Sequence, residues 1–228
     1  RRGGADHHYL DLCDLLEENG EQVSVFSMRD SRNHPSIYAK YFVSNAEYGH
    51  FDPRALISPF RIFYSFEAKA KLTALLKVVQ PEVAHLHLIY HHLSPSVLVA
   101  LREARVPVVM TVHDWKIVCP NYSLFTEGAP CERCRGGHYV ECYRHRCIKN
   151  SAAASAVMAG EAYLHHALKY YEEYVDLYIA PSQFVKDKLV HFGFPADKIS
   201  VLNHFLPSGF PIEAEAPALP ESPRYAYV

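Results

Sequence analysis

No run of about 18 consecutive apolar residues occurs in this sequence, so nothing in it reads as a membrane-spanning helix. A basic excess is also missing: 23 Lys and Arg stand against 25 Asp and Glu, a formal charge of -2. Binding through phosphate contacts calls for a surplus of positive charge, so no nucleic-acid partner is expected. The opening Arg1-Arg2-Gly3-Gly4 holds neither the apolar stretch of a signal peptide nor a targeting sequence. Cysteine is nearly absent outside one region, since five of the six fall between Cys119 and Cys147. A secreted disulfide domain spreads its cysteines to staple distant loops; local clustering points instead to reduced thiols and a cytoplasmic setting.

What is present is an ordinary globular composition, 49% hydrophobic and 21% charged. Its apolar residues alternate between two periods. Tyr9, Leu12, Cys13 and Leu16 form one helical stripe, and Gly20 is placed to stop that helix. Val23 to Ser27 reads as a short strand, residues 29–59 as irregular, and Phe60 to Gln80 as a helix ended by Pro81. Val83 to Leu88 is a predicted strand, and Ser94-Pro95 opens a further helix. Pro107 to Val112 is nearly all apolar, as expected of a strand covered on both faces. A long helix over 151–174, a strand at Leu177 to Ala180, a helix capped by Ser182 and a strand at Ile199 to Leu202 complete the pattern. The proline-rich 206–223 reads as a linker, with residues 224–228 starting a second domain.

Strands alternating with helices predict an α/β fold with a Rossmann-like, doubly wound parallel sheet over residues 1–205. No strand precedes Gly3-Gly4, and one belonging to this sheet is expected outside the given stretch. In such sheets the ligand crevice lies beyond the carboxyl ends of the strands, which selects the residues of interest. Gly3 and Gly4 either let a helix N-terminus approach an anion or form an ordinary tight turn. His113-Asp114 ends the most apolar strand, where a polar pair is costly unless solvated or used; the alternative is a histidine bonded to a backbone carbonyl. His85 and His87 share one face at the neighbouring exit, with His91 and His92 beyond, and His87 is the better candidate for substrate contact. Ser182 and Asn203 sit at two further exits.

Residues 115–150 make an insert too long to lie structureless in a compact domain. Cys131-x2-Cys134 followed by Cys142 and Cys147 suggests a structural zinc site, with Cys119 a spare thiol; packed reduced thiols or a disulfide are the alternatives. Arg133, Arg135, Arg144, Arg146 and Lys149 would offset its negative charge, meet an anionic lipid surface peripherally, or form a solvated face.

Together, Gly3-Gly4-Ala-Asp-His-His-Tyr-Leu-Asp-Leu, Gly20-Glu-Gln-Val-Ser-Val-Phe, Glu82-Val-Ala-His-Leu-His87, Val109-Met-Thr-Val-His113-Asp114, Ala180-Pro-Ser182-Gln-Phe and Lys198-Ile-Ser-Val-Leu-Asn203 resemble family-4 glycosyltransferases. The cysteine-rich insert resembles that of a bacterial subgroup. The resemblance implies the N-terminal, acceptor-side half of a GT-B fold, acting with retention and without a catalytic metal. It implies a nucleotide-sugar donor, a glycan or lipid-linked acceptor, and a role in cell-envelope polysaccharide synthesis. In that frame Gly3 and Gly4 approach the donor phosphates, His113 is catalytic, and His87, Asp114, Ser182 and Asn203 contact substrate. Glu21 departs from the family's usual His, and the donor-side acidic motif is missing, so the 228-residue chain is expected to be inactive by itself. From a different class, a non-catalytic, zinc-stabilised Rossmann-like binding module is the second expectation.

Overall fold

A computed structural model of the chain describes residues 3–45, 58–90 and 93–206. The expected linker beyond Leu206, the segment 224–228, and His91 and His92 lie outside these.

Helix α1 runs Gly4–Glu18, close to the stripe that predicts it, and Gly20 beyond it takes φ +88°, open to glycine at little cost. Its apolar stripe is only half-buried. The expected strand at 23–27 does not form. A strand exists only as part of a ladder, and here the chain makes a single parallel bridge one residue later, Met28 to Val43.

The predicted helix over 60–80 is two pieces, α2 (Ser58–Arg61) and α3 (Phe66–Val79). The break comes from a capping signal that periodicity hides: Ser65 Oγ accepts from the Ala68 amide at 3.2 Å. Gln80 closes α3 in the left-handed region before Pro81. Strand β1 (Ala84–His87) follows, then α4 (Ser96–Glu103) and β2 (Val108–Thr111). Ser94 Oγ accepts from both the Ser65 and Ser96 amides, a buried hydroxyl link between the starts of α3 and α4.

The insert holds a small hairpin, β3 (Phe125–Thr126) with β4 (Ala129–Pro130), and the short α5 (Val140–Arg144). The long helix expected over 151–174 is α6 (Ala152–Ala167) and α7 (Tyr170–Tyr174), parted where Lys169 turns left-handed at φ 50°. Strand β5 (Leu177–Ala180), α8 (Gln183–His191) and β6 (Ile199–Val201) finish the described chain.

The four long strands form one parallel sheet in the order β1-β2-β5-β6. Met110, Tyr178 and Ile199 share one face of the sheet and belong to a core with Leu72, Leu75 and Leu76 of α3, Leu98 and Leu101 of α4, Tyr171 of α7 and Leu189 of α8. Parallel strands need crossovers long enough to carry helices, and the β2–β5 crossover carries the whole insert.

Candidate functional site

Side chains alternate faces along a strand, so register decides which polar groups meet. Strands β1 and β2 pair His85 with Val109 and His87 with Thr111. His85, His87, Thr111 and, two residues on, His113 therefore share the face opposite Met110. Contacts follow from that placement: His85 Nε2 lies 2.7 Å from Thr111 Oγ1, and His87 Nδ1 lies 2.8 Å from His113 Nε2.

Two further imidazoles enter from other elements. His8, in the second turn of α1, has its ring centroid 5.6 Å from that of His113 and 6.0 Å from that of His87. His204, just past β6, stacks on His113 at 5.4 Å and approaches His8 at 4.0 Å. Tyr9 sets its ring edge against His87, and Phe205 against His8. Five imidazoles thus converge on one side of the sheet, His85 and His87 from β1 itself and His113 and His204 from just past β2 and β6, with the second turn of α1 beside them.

Burial above all, and in four of the five the neighbouring imidazoles, lowers their pKa values. Burial, then His204 and His8, hold His113 down at about 4. Burial and His8 do the same to His85, also about 4, and burial with His85 and His113 takes His87 to about 2. His8 and His204 are lowered as well, burial being the main cause. A neutral imidazole offers one N–H donor and one lone pair. In the His87–His113 contact one ring donates and the other accepts, whereas two cations there would repel. His8 Nδ1 is buried without a hydrogen-bond partner among the described residues.

The other predicted site residues divide. Gly3 and Gly4 are exposed, Gly3 is extended at φ -168°, and a Cβ at either would meet nothing within 4 Å. They open α1 at this rim without the positive φ that sequence reasoning allowed for. Asp114 is half-buried and its Oδ1 accepts from the Lys116 amide at 2.9 Å; burial raises its pKa. Ser182 Oγ accepts from the Val185 amide at 3.3 Å, so its hydroxyl serves as the cap of α8. Asn203 is exposed, while its neighbour His204 turns into the cluster. Sequence reasoning missed His204 and His8. Their only signal is adjacency to a strand exit and to the glycine turn.

A family model for glycosyltransferase family 4 matches residues 2–207. The chain belongs to that family. No curated protein and no solved structure matches it. In this glycosyltransferase-family domain two further features follow His113 along the chain.

The first is a buried ion pair. Lys116 Nζ meets Glu161 Oε2 with the two side chains 3% and 1% exposed. Lys116 follows His113-Asp114 by two residues, and Glu161 belongs to α6, so the pair ties the segment just past the strand exit to α6. His165 Nδ1 lies 3.5 Å from the other Glu161 oxygen, and His165 Nε2 lies 2.9 Å from the Phe63 carbonyl, to which it donates. The Tyr90 and Tyr171 hydroxyls are buried nearby without partners among the described residues.

The second is the cysteine insert. Cys119, Cys131, Cys134, Cys142 and Cys147 line one cavity of about 20 Å³ together with Leu124, Arg133 and His145. None of them is in a disulfide. Among the described residues no group of three or more His, Cys, Asp or Glu side chains stands ready-arranged for a metal, either here or at the histidine rim. No helix among the described residues is long and apolar enough to cross a membrane.

Proposed function

We propose that this domain is the acceptor-side lobe of a retaining transferase that moves a sugar from a nucleotide-sugar donor to a glycan or lipid-linked acceptor. The observation that carries the reading is the convergence of His8, His85, His87, His113 and His204 on one rim. Neutral imidazoles supply N–H donors and lone pairs side by side, the complement of a polyhydroxylated ligand, whose hydroxyls both donate and accept. A cationic cluster would instead select an anion.

In the proposed step the acceptor hydroxyl oxygen bonds to the anomeric carbon as the bond to the donor diphosphate breaks on the same face. The electron pair leaves with the diphosphate, and the hydroxyl proton passes to its departing oxygen. His113, half-buried at the centre of the rim, orients the acceptor hydroxyl or the transferring sugar. His87 holds the His113 ring through the 2.8 Å contact. Gly3 and Gly4, with no side chains in the way, leave the first amides of α1 open to phosphate oxygens. The diphosphate needs stabilisation as it leaves, and among the described residues the rim contributes imidazoles and no fixed cation. The chain is therefore expected to bind acceptor but to transfer no sugar alone. Its reduced thiols and the family's donor chemistry favour a cytoplasmic site of action, at the inner face of the cell membrane for a lipid-linked acceptor, within envelope polysaccharide synthesis.

Saturation-transfer NMR against a panel of oligosaccharides and polyprenyl-diphosphate-linked sugars tests this. At least one acceptor should bind, and His113→Ala should weaken it about tenfold, the worth of one lost hydrogen bond at a half-buried site. Equal binding by that variant, or no binding by any member of the panel, would overturn the reading. Sugar transfer by the 228-residue chain would overturn its inactivity.

A further inference from the structure

The 2.8 Å contact between His87 Nδ1 and His113 Nε2 has a direction, and that direction decides what the rim can take. We propose that His113 donates its Nε2–H to His87 Nδ1, so that His113 Nδ1 meets the ligand as a bare lone pair and selects a hydroxyl that donates. His87 is then a positioning residue, fixing which nitrogen of His113 carries the proton. What the lone pair takes rests on the transferase reading; the direction of the contact does not.

Two directions are open to such a pair. Both rings are neutral near neutral pH, burial being the largest cause, so each carries one proton and one lies between the two nitrogens. If His113 owns the shared proton, both rings are protonated on Nε2. If His87 owns it, both are protonated on Nδ1. A neutral histidine side chain favours Nε2, the nitrogen further from the backbone, and takes the other form where a carboxylate or carbonyl accepts from Nδ1. No such group acts here among the described residues. The charges that shift His113 belong to His204, His8 and His85, and those on His87 come from imidazoles alone. Asp114, next in the chain, turns its Oδ1 to the Lys116 amide. The reverse direction would hold two rings in their minor form at once with nothing to keep either there. His113 is the donor.

The free nitrogens follow from that assignment. His113 Nδ1 keeps a lone pair and His87 Nε2 keeps a proton, and neither has a hydrogen-bond partner among the described residues. Unlike His8 Nδ1, neither is fully buried, so both are open at the rim. A lone pair accepts from an O–H and repels a phosphate oxygen. His113 therefore faces a sugar hydroxyl and not the donor diphosphate. Sheet register sets His87 on β1 beside β2, whatever the rings do, so the direction of the contact can change without a change of fold.

Long-range proton–nitrogen correlation NMR of the chain with nitrogen-labelled histidines, at about pH 7, reads each ring separately. His87 and His113 should both show a protonated Nε2 and a bare Nδ1, with a coupling across the hydrogen bond between them. His87→Leu should remove that coupling and leave His113 averaging between its two forms. His87→Asn, whose side-chain oxygen takes the place of Nδ1, should restore the single form. If His87→Leu does not fold, the wild-type spectrum decides alone. His113 protonated on Nδ1, or a His113 spectrum unchanged by His87→Leu, would overturn the positioning. Three probes then read the selection: the oligosaccharides of the binding panel, the same sugars fully O-methylated, and inorganic phosphate. Free oligosaccharide should draw the His113 Nδ1 signal towards the protonated range, and the other two should leave it in place. Oligosaccharide bound without that shift, or a shift with methylated sugar or phosphate, would overturn the selection. Binding by no panel member defeats the transferase reading instead, while the ring directions, read without ligand, stand.

Discussion

The histidine rim and the cysteine insert are both clusters of titratable side chains, but the fold holds them by different means. Three of the five rim imidazoles, His85, His87 and His113, are placed by sheet register, which fixes faces whatever the side chains do. The insert has no such ladder beyond a hairpin of two-residue strands, and its thiols are placed by turns and side-chain contacts. A rim of this kind keeps its geometry when one imidazole is lost, whereas an insert of this kind depends on its own chemistry. Between the two in sequence stands Lys116, whose buried ion pair with Glu161 fixes the segment just past the rim to α6.

Cutting that link should have the largest effect. Glu161→Ala leaves an uncompensated buried ammonium and should destabilise the domain by about 3–5 kcal/mol, while a Lys116→Met/Glu161→Leu double variant should recover most of the loss. Urea unfolding of the three proteins reads this. A double variant as unstable as the single one would mean that the pair does more than neutralise itself.

Acid should come next, and it acts on the rim. The folded pKa values of His85 and His113 lie at about 4, below the ordinary 6.5, so the unfolded chain binds protons first. Stability is then full above about pH 6.5 and falls as pH drops towards about 4. Thermal melts from about pH 7 to about pH 5 should show a falling Tm, and His113→Ala should flatten the slope. A slope unchanged by that variant would place the acid sensitivity elsewhere.

Smaller effects sharpen the contrast. Ser65→Ala removes the cap of α3 and should cost about 1 kcal/mol by the same unfolding assay, leaving insert and rim intact. Asn203→Ala should shift stability by less than about 0.5 kcal/mol, as its side chain is exposed. Its neighbour differs: His204→Ala removes the second-largest influence on His113, so NMR titration should find the His113 pKa moved up towards its ordinary value. An unmoved His113 would separate His204 from the rim.

Much of this was legible in the sequence because local signals and tertiary demands agreed. The apolar run at Pro107 to Val112, the Ser182 cap and the strand at Leu177 to Ala180 appear where patterning puts them. Disagreement arose where a single residue outweighed a period. Ser65 and Lys169 each break what periodicity reads as one helix. Val23 to Ser27 has the alternation of a strand but no ladder among the described residues. At the candidate site, strand-exit placement singles out His87 and His113, which the fold brings into contact, whereas His8 and His204 come from segments whose approach no local pattern encodes.

The amino-acid order alone thus determined most of the strands and helices of a parallel α/β sheet, and that polar residues stand at its strand exits. Those are short-range properties, set by period, capping and burial. Only the tertiary structure decided that five imidazoles from four segments share one rim, that Ser182 is spent on a cap, and that five thiols face one cavity. Such meetings depend on register and crossover, which join residues distant in the chain.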